Sequence, residues 1–490
     1  MRSLVIRSMN LYQRIGIATS VILLFLSFFA CKKDQISSDP NFKLSFSTDT
    51  LTFDTLISTR LSATLRMKVY NRNDDAVKIS SVSLDAGANS IFRINVSGRS
   101  GTVLKDLEVK SNDSLWLFVD VNLPVGSSNL PFEINEKLSF ITNGNVQQIV
   151  LNAWGQNAIF HRPISGDTLV LGHSEIWDGT LPHVIYGVLK VDSGSTLTLQ
   201  NGCKTYFHQG ASLVLSSGCR LIASGDASNP VIFQGDRLEE KYKETAGQWG
   251  GIVFKNGSGG HELSNVMIKG ASSGIIGEGK SLGVEPQLSA SNLIIKHCLN
   301  YGLVGRNSSW EVFNLSIYDC GADALRVEKG GNYQIYHATL FSSTSSSAQG
   351  STNHALTLRN WFFDGGVAVG QDLELFELHN SIIWSNAAEA LSLSDEGANF
   401  NYTFDHCLFK TKVSPNANFQ NCFFNQSPNF VDNRGIAVLL GENSAAINVG
   451  NSSVVNAFLT DLGQDLKDEN RLNDGKPDLG AYEFSSVWIE

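Results

Sequence analysis

His297 and Asp319 stand 22 residues apart, each five places after an asparagine, Asn292 and Asn314. If the two segments lie side by side in register, an imidazole stacks over a carboxylate, and such a pair can act as a general base. The same placement also describes a surface contact of little energy. Asp405 and His406 are the same two residue types as direct neighbours, where alternating side chains diverge. The charged loop 234–251, QGDRLEEKYKETAGQWGG, carries Asp236, Glu239, Glu240 and Glu244, which offer oxygen ligands for calcium. Their spacing enforces no coordination geometry, so a solvated loop accounts for them without a cation.

A third group is more regular. Lys269, Lys296, Tyr318, Phe341, Trp384 and Lys410 each stand four places after an Asn or His mark. Stacked in register, they form one outward file of rings and ammonium groups. Rings supply flat apolar area for sugars, and lysines pair with uronate or sulfate. The competing reading is that a loop, or the segment 342–353, covers the aromatics.

The elements that position these groups follow from the marks. Asn265, Asn292, Asn314, His337, Asn380, His406 and Asn421 are separated by 27, 22, 23, 43, 26 and 15 residues. The 43 reads as two turns with Asn360 between them. A period of this length with short strands is the mark of a β-solenoid, in which each coil stacks on the last. One and three places after the marks stand apolar residues, Val266/Ile268, Leu293/Ile295 and Leu315/Ile317, which alternation points inward. Six after stand Ala271, Cys298, Cys320 and Asn386; ten after stand Gly302, Ala324 and Ala390, small enough for a tight corner. The asparagines suit a turn and a side-chain ladder, so their role is architectural.

Composition agrees. The chain has 490 residues with 44 Gly and only 17% charged residues, which fits short strands and turns. Its formal charge of −10 argues against a nucleic-acid partner. Cys203, Cys219, Cys298, Cys320, Cys407 and Cys422 sit in apolar contexts and read as buried thiols. No CxxC spacing suggests zinc. Residues 41–158 read as a sandwich of antiparallel strands, with Asn143-Gly144 a hairpin turn, and as an immunoglobulin-like spacer. The expectation is an all-β chain: leader 1–30, linker 31–40, sandwich 41–158, right-handed parallel β-helix 159–442, and an end motif at 443–484.

Several stretches resemble known families. The 16-residue apolar run Ile15 to Ala30 follows Arg2, Arg7 and Arg14, precedes Cys31, and is short for a membrane span. Ala30–Cys31 resembles a bacterial lipoprotein lipobox, although Phe28 and Phe29 depart from the usual residues. The resemblance implies cleavage before Cys31, lipidation of Cys31, export, and anchoring at the outer membrane of a diderm bacterium. DTL at 49, 54 and 167 and DSL at 113 resemble an O-glycosylation motif of some such bacteria. The repeats resemble the right-handed parallel β-helix of pectin-lyase-like proteins. SAAINVGN (444–451) and DENRLNDGKPDLGAYEF (468–484) resemble the ending of many exported β-helix proteins. Taken whole, the chain resembles a family of surface β-helix lipoproteins. Polysaccharide lyases and glycoside hydrolases share this shape, but their motifs of paired acids are absent. The resemblance implies a lipid-anchored surface protein, and the file of rings and lysines leads to the expectation that it recognises a glycan or other surface polymer without cutting it. A polysaccharide-cleaving enzyme and a structural surface component are the competing classes.

Overall fold

The computed structural model describes residues 35–58, 62, 64–125, 132–343, 353–431 and 438–486. The leader, Cys31 and most of the 342–353 segment lie outside these residues. The chain divides into two compact units, one through Gly155 and the other from Gln156.

The first unit is two β-sheets around one core. One sheet is built on Ala76–Leu84, Phe132–Thr142, Asn145–Gln156 and Thr50–Ile57, the other on Leu65–Tyr70, Ser114–Val121 and Phe92–Val96. Alternation sorts each strand. In Ser114–Val121, Leu117, Val119 and Val121 are fully buried while Trp116 and Phe118 face out. The Asn143-Gly144 turn joins the two strands that the sequence predicts, with both residues at positive φ.

The second unit is a single 24-stranded parallel sheet that winds on itself and is nearly closed. In its first coils each strand pairs with the third one after it: Ile159–His161 with His183–Ile185, and Thr168–Leu171 with Val188–Val191. This β-helix-like winding leaves one continuous interior, filled by Val, Leu and Ile with a run of large aromatics including Phe207, Phe233, Trp249, Tyr333, Phe376 and Phe404.

The marks keep the register. Val266 pairs with Leu293, Leu293 with Leu315, Leu315 with Ala338, and Ile382 with Leu408. The 43-residue interval is one coil, not two. Tyr336 pairs directly with His379, the strand Leu356–Arg359 is an ordinary rung between Leu325–Val327 and Leu391–Ser394, and an outlying hairpin of Trp361–Asp364 with Val367–Gly370 takes up part of the extra length. Asn360 is no mark; it is buried and binds the carbonyls of Ala398 and Asn399.

All seven marks share one backbone conformation. Asn265, Asn292, Asn314, His337, Asn380, His406 and Asn421 have φ between 48° and 55°. This left-handed region costs an ordinary L-residue about 1–2 kcal/mol, and Asn tolerates it best after glycine. The side chains also stack. Asn292 Nδ2 donates to Asn265 Oδ1 at 3.1 Å, and Asn314 Nδ2 to Asn292 Oδ1 at 2.9 Å. The small corner residues are required as well: a Cβ on Gly302 would lie 2.3 Å from Ile317 Cγ2 and 2.5 Å from the carbonyl of Ala324. All six cysteines in the described residues are free thiols, five of them buried, and Cys298 and Cys320 occupy the same register position on successive coils.

The ladder makes a prediction. Asn292→Val forces a β-branched residue to positive φ and removes two side-chain bonds, so chemical denaturation should show a loss of about 2 kcal/mol or more. Asn292→Gly keeps the backbone conformation and should lose less. Equal losses would show that the backbone conformation is not what the asparagine provides.

Candidate functional site

The file of Lys269, Lys296, Tyr318, Phe341, Trp384 and Lys410 is real as a register. Lys269 pairs with Lys296, Lys296 with Tyr318, and Phe341 with Trp384. It is not continuously exposed. Tyr318 is 7% exposed and Phe341 1%, in a cluster with Val438, Ala481 and Tyr482. The cover is the end of the chain, folded back along the coils. The file is therefore not the one open row that its spacing suggests: its middle is closed, Lys269, Lys296 and Lys410 remain partly exposed at either side, and Trp384 is partly exposed but packed against the covering segment. Lys296 Nζ lies 5.7 Å from the centre of the Tyr318 ring, and Lys410 Nζ 5.6 Å from that of Trp384. Burial, with Lys296 close by, lowers the pKa of Lys269, and burial alone lowers that of Lys410. Burial likewise pushes the Tyr318 phenol up.

The C-terminal segment is held by a buried ion pair that joins the asparagine ladder. Arg471, 0% exposed, donates to Glu483 Oε1 at 2.6 Å and to Asn314 Oδ1 at 2.8 Å. Asn314 in turn donates to the carbonyls of Asp461 and Gln464. Gly480 N donates to the carbonyl of Asn380, and Ala481 N to Thr339 Oγ1. Asp465 and Asp478 accept backbone N–H groups within the segment, which shapes the DLGAYE turn. The end motif is therefore a lateral clamp on the coils.

His297 and Asp319 do meet. His297 Nδ1 lies 2.6 Å from Asp319 Oδ2, and Asp319 also accepts from Ser343 Oγ at 3.1 Å. The hydrogen bond from His297 holds the Asp319 carboxyl below the usual range. Both residues have positive φ, 54° and 53°, so the backbone kinks identically on the two coils. No spacing signals the third member: Glu244, from the charged loop, contacts His297 Nε2. The imidazole is 3% exposed with a carboxylate at each ring nitrogen. That arrangement ties the loop to the coils.

The other loop acids are engaged separately. Asp236 lies 2.8 Å from His208, Glu239 binds Arg237, and Glu240 binds Lys243. Among the described residues, no three His, Cys, Asp or Glu side chains are grouped to hold a metal ion. Asp236, Glu239, Glu240 and Glu244 thus each turn to a partner of their own. Asp405 and His406 correct another expectation: they converge at 2.8 Å, since the positive φ of His406 breaks the alternation that would separate neighbours. Burial pushes the Asp405 carboxyl up, but hydrogen bonds from Asn421, His406 and Asn451 outweigh it and bring it down.

A second outward file escaped the sequence reading. Glu278, Arg306 and Glu328 pair in register with alternating charge, and Arg359 Nη2 reaches Glu328 at 2.6 Å. Arg326 Nε adds a bond to Glu328 at 2.7 Å. Burial pushes Glu328 up, and the guanidinium groups around it more than reverse this. The signal was present: Arg306, Glu328 and Ser394 each stand 14 places after a mark. A polar cleft of about 650 Å³ lies elsewhere, lined by Thr180, Asn201, Lys204 and Asn229 among others.

No protein-family model matches the sequence, and no curated protein matches it. Solved structures align over about a quarter of the chain. A PapD-like domain of human CEP192 is 12% identical over 26% of this chain and 94% of its own, with a TM-score of 0.17. A family 123 glycoside hydrolase from Clostridium perfringens is 9% identical over 28% of this chain and 30% of its own, at 0.19. A protein of unknown function from Porphyromonas gingivalis W83 is 11% identical over 26% of this chain and 58% of its own, at 0.18. Likeness at this level carries no argument about function.

Removing the clamp should open the file. Arg471→Met removes the cation beside Glu483, whose carboxyl burial already pushes up to about 8, so Glu483 takes up a proton and the loss is that of the two side-chain bonds of Arg471, about 2–3 kcal/mol. It should also uncover Phe341 and Tyr318, seen as increased binding of a dye specific for apolar surface. Unchanged dye binding with reduced stability would show that the cover does not depend on the ion pair.

Proposed function

We propose that this chain is a surface protein anchored through lipidated Cys31, with an immunoglobulin-like sandwich followed by a right-handed parallel β-helix of the pectin-lyase-like kind. Its role is recognition of a glycan or another surface polymer along the coils, without cleavage. Right-handedness is the rule for parallel crossovers, which supports that choice for the winding. The observation that carries the functional reading is the register of the outward file. Neighbours on successive coils of a parallel sheet are about 4.8 Å apart. Lys269 opposite Lys296 on one side of the clamp, and Lys410 beside the partly exposed Trp384 ring on the other, give two places where cations and a ring line the coils. A long polymer meets repeated contacts on such a surface, each of modest worth. Against a catalytic role for His297, both of its nitrogens face carboxylates of the protein itself.

The test is retention on immobilised polysaccharides, neutral and acidic, using the chain from Lys32 onward. Trp384→Ala with Lys410→Ala should weaken retention on the preferred polymer by about tenfold, the worth of one stacked ring with its cation. Retention equal to the parent's would remove this file from the binding surface.

A further inference from the structure

We infer that the outer face of one sheet of the first unit is a second binding platform, for an acidic polysaccharide. This goes beyond the reading of that unit as a spacer, and it is independent of the file on the coils. The strands Leu65–Tyr70, Ser114–Val121 and Phe92–Val96 lie side by side, with Arg66 opposite Phe118, Lys68 opposite Trp116, and Asn95 opposite Phe118. Their inward residues fill the core. Their outward residues make a patch of unusual composition. Trp116 is 42% exposed and Phe118 36%, two large rings side by side on the outer face. The two ring centres are 6.3 Å apart and tilted by 30°. Arg66 and Lys68 both stand against the Trp116 ring, at 5.3 and 4.8 Å from its centre.

Charge selects the occupant. Arg66, Lys68 and Arg93 share this face with a single acid, Asp120, in a chain whose net charge is −10. A local positive field in an acidic protein attracts a polyanion. Flat rings beside guanidinium and ammonium groups are the chemistry that takes a sugar ring with a carboxylate. Asn95 donates to Ser100 Oγ at 2.7 Å and accepts from Gly98 N at 3.1 Å, which fixes the polar edge beside the rings. An anionic lipid surface would meet the same charges. It fits less well, because the patch presents two rings and no protruding aliphatic group to enter the acyl region.

The test uses the full chain and polygalacturonate, with neutral dextran and phosphatidylglycerol vesicles as comparisons, measured by affinity electrophoresis and co-sedimentation at rising salt. Binding to polygalacturonate should exceed binding to dextran and weaken with salt. Trp116→Ala with Lys68→Gln, both at exposed positions, should reduce it at least tenfold, while Trp384→Ala with Lys410→Ala in the second unit leaves that contribution in place. Equal affinity of the Trp116/Lys68 variant and its parent overturns the platform, as does binding to phosphatidylglycerol vesicles in preference to polygalacturonate. No binding to polygalacturonate by the parent chain overturns it too. Loss only in the Trp384/Lys410 variant would place all polymer binding on the coils and leave the first unit a spacer. Loss only in the Trp116/Lys68 variant would remove the coil file and keep the platform.

Discussion

The second unit depends on one recurring backbone state. Every coil from Asn265 to Asn421 turns through a residue with positive φ, and that residue is Asn or His at each level. The conformation is costly for most side chains, so the position selects asparagine. Once there, the amides bond from coil to coil and fix the register of everything that follows them. Four places on, the register creates the outward file; five places on, it brings Asp319 to His297. The ladder ends at Arg471, which takes the last free acceptor of Asn314 and carries the C-terminal clamp with it.

That coupling explains why the middle of the file is closed. Burying a guanidinium is costly without partners, and Arg471 finds one in Glu483, which lies in the same segment as Ala481 and Tyr482, the residues packed on Phe341 and Tyr318. The segment cannot satisfy Arg471 and leave those rings open. The partly exposed groups are therefore split into Lys269 and Lys296 on one side, and Trp384 and Lys410 on the other.

Much of this was legible in the sequence because it is periodic. The marks, the inward Leu and Ile pairs and the small corner residues repeat at fixed offsets, and offsets survive stacking. The His297–Asp319 contact was legible for the same reason. What repeats less could not be read. The 43-residue coil looks like two because Asn360 imitates a mark, yet its side chain caps a loop instead. Glu244 reaches His297 from an irregular loop, and Arg471 meets Asn314 across 157 residues, so neither contact leaves a spacing to find. Asp405 and His406 were expected to diverge because alternation was assumed at a residue whose positive φ cancels it. The charge file through Glu278, Arg306 and Glu328 is periodic too, but it lies beyond the corner, where coil lengths begin to differ.

The central claim is that the molecule holds a polymer without cutting it. The most direct measurement is to incubate the chain with the polysaccharides it retains and follow polymer length and new chain ends over time. The account predicts polymer retained at unchanged length. A growing number of chain ends would contradict it, and would make the groups around His297 and Asp319 the first to examine as catalysts.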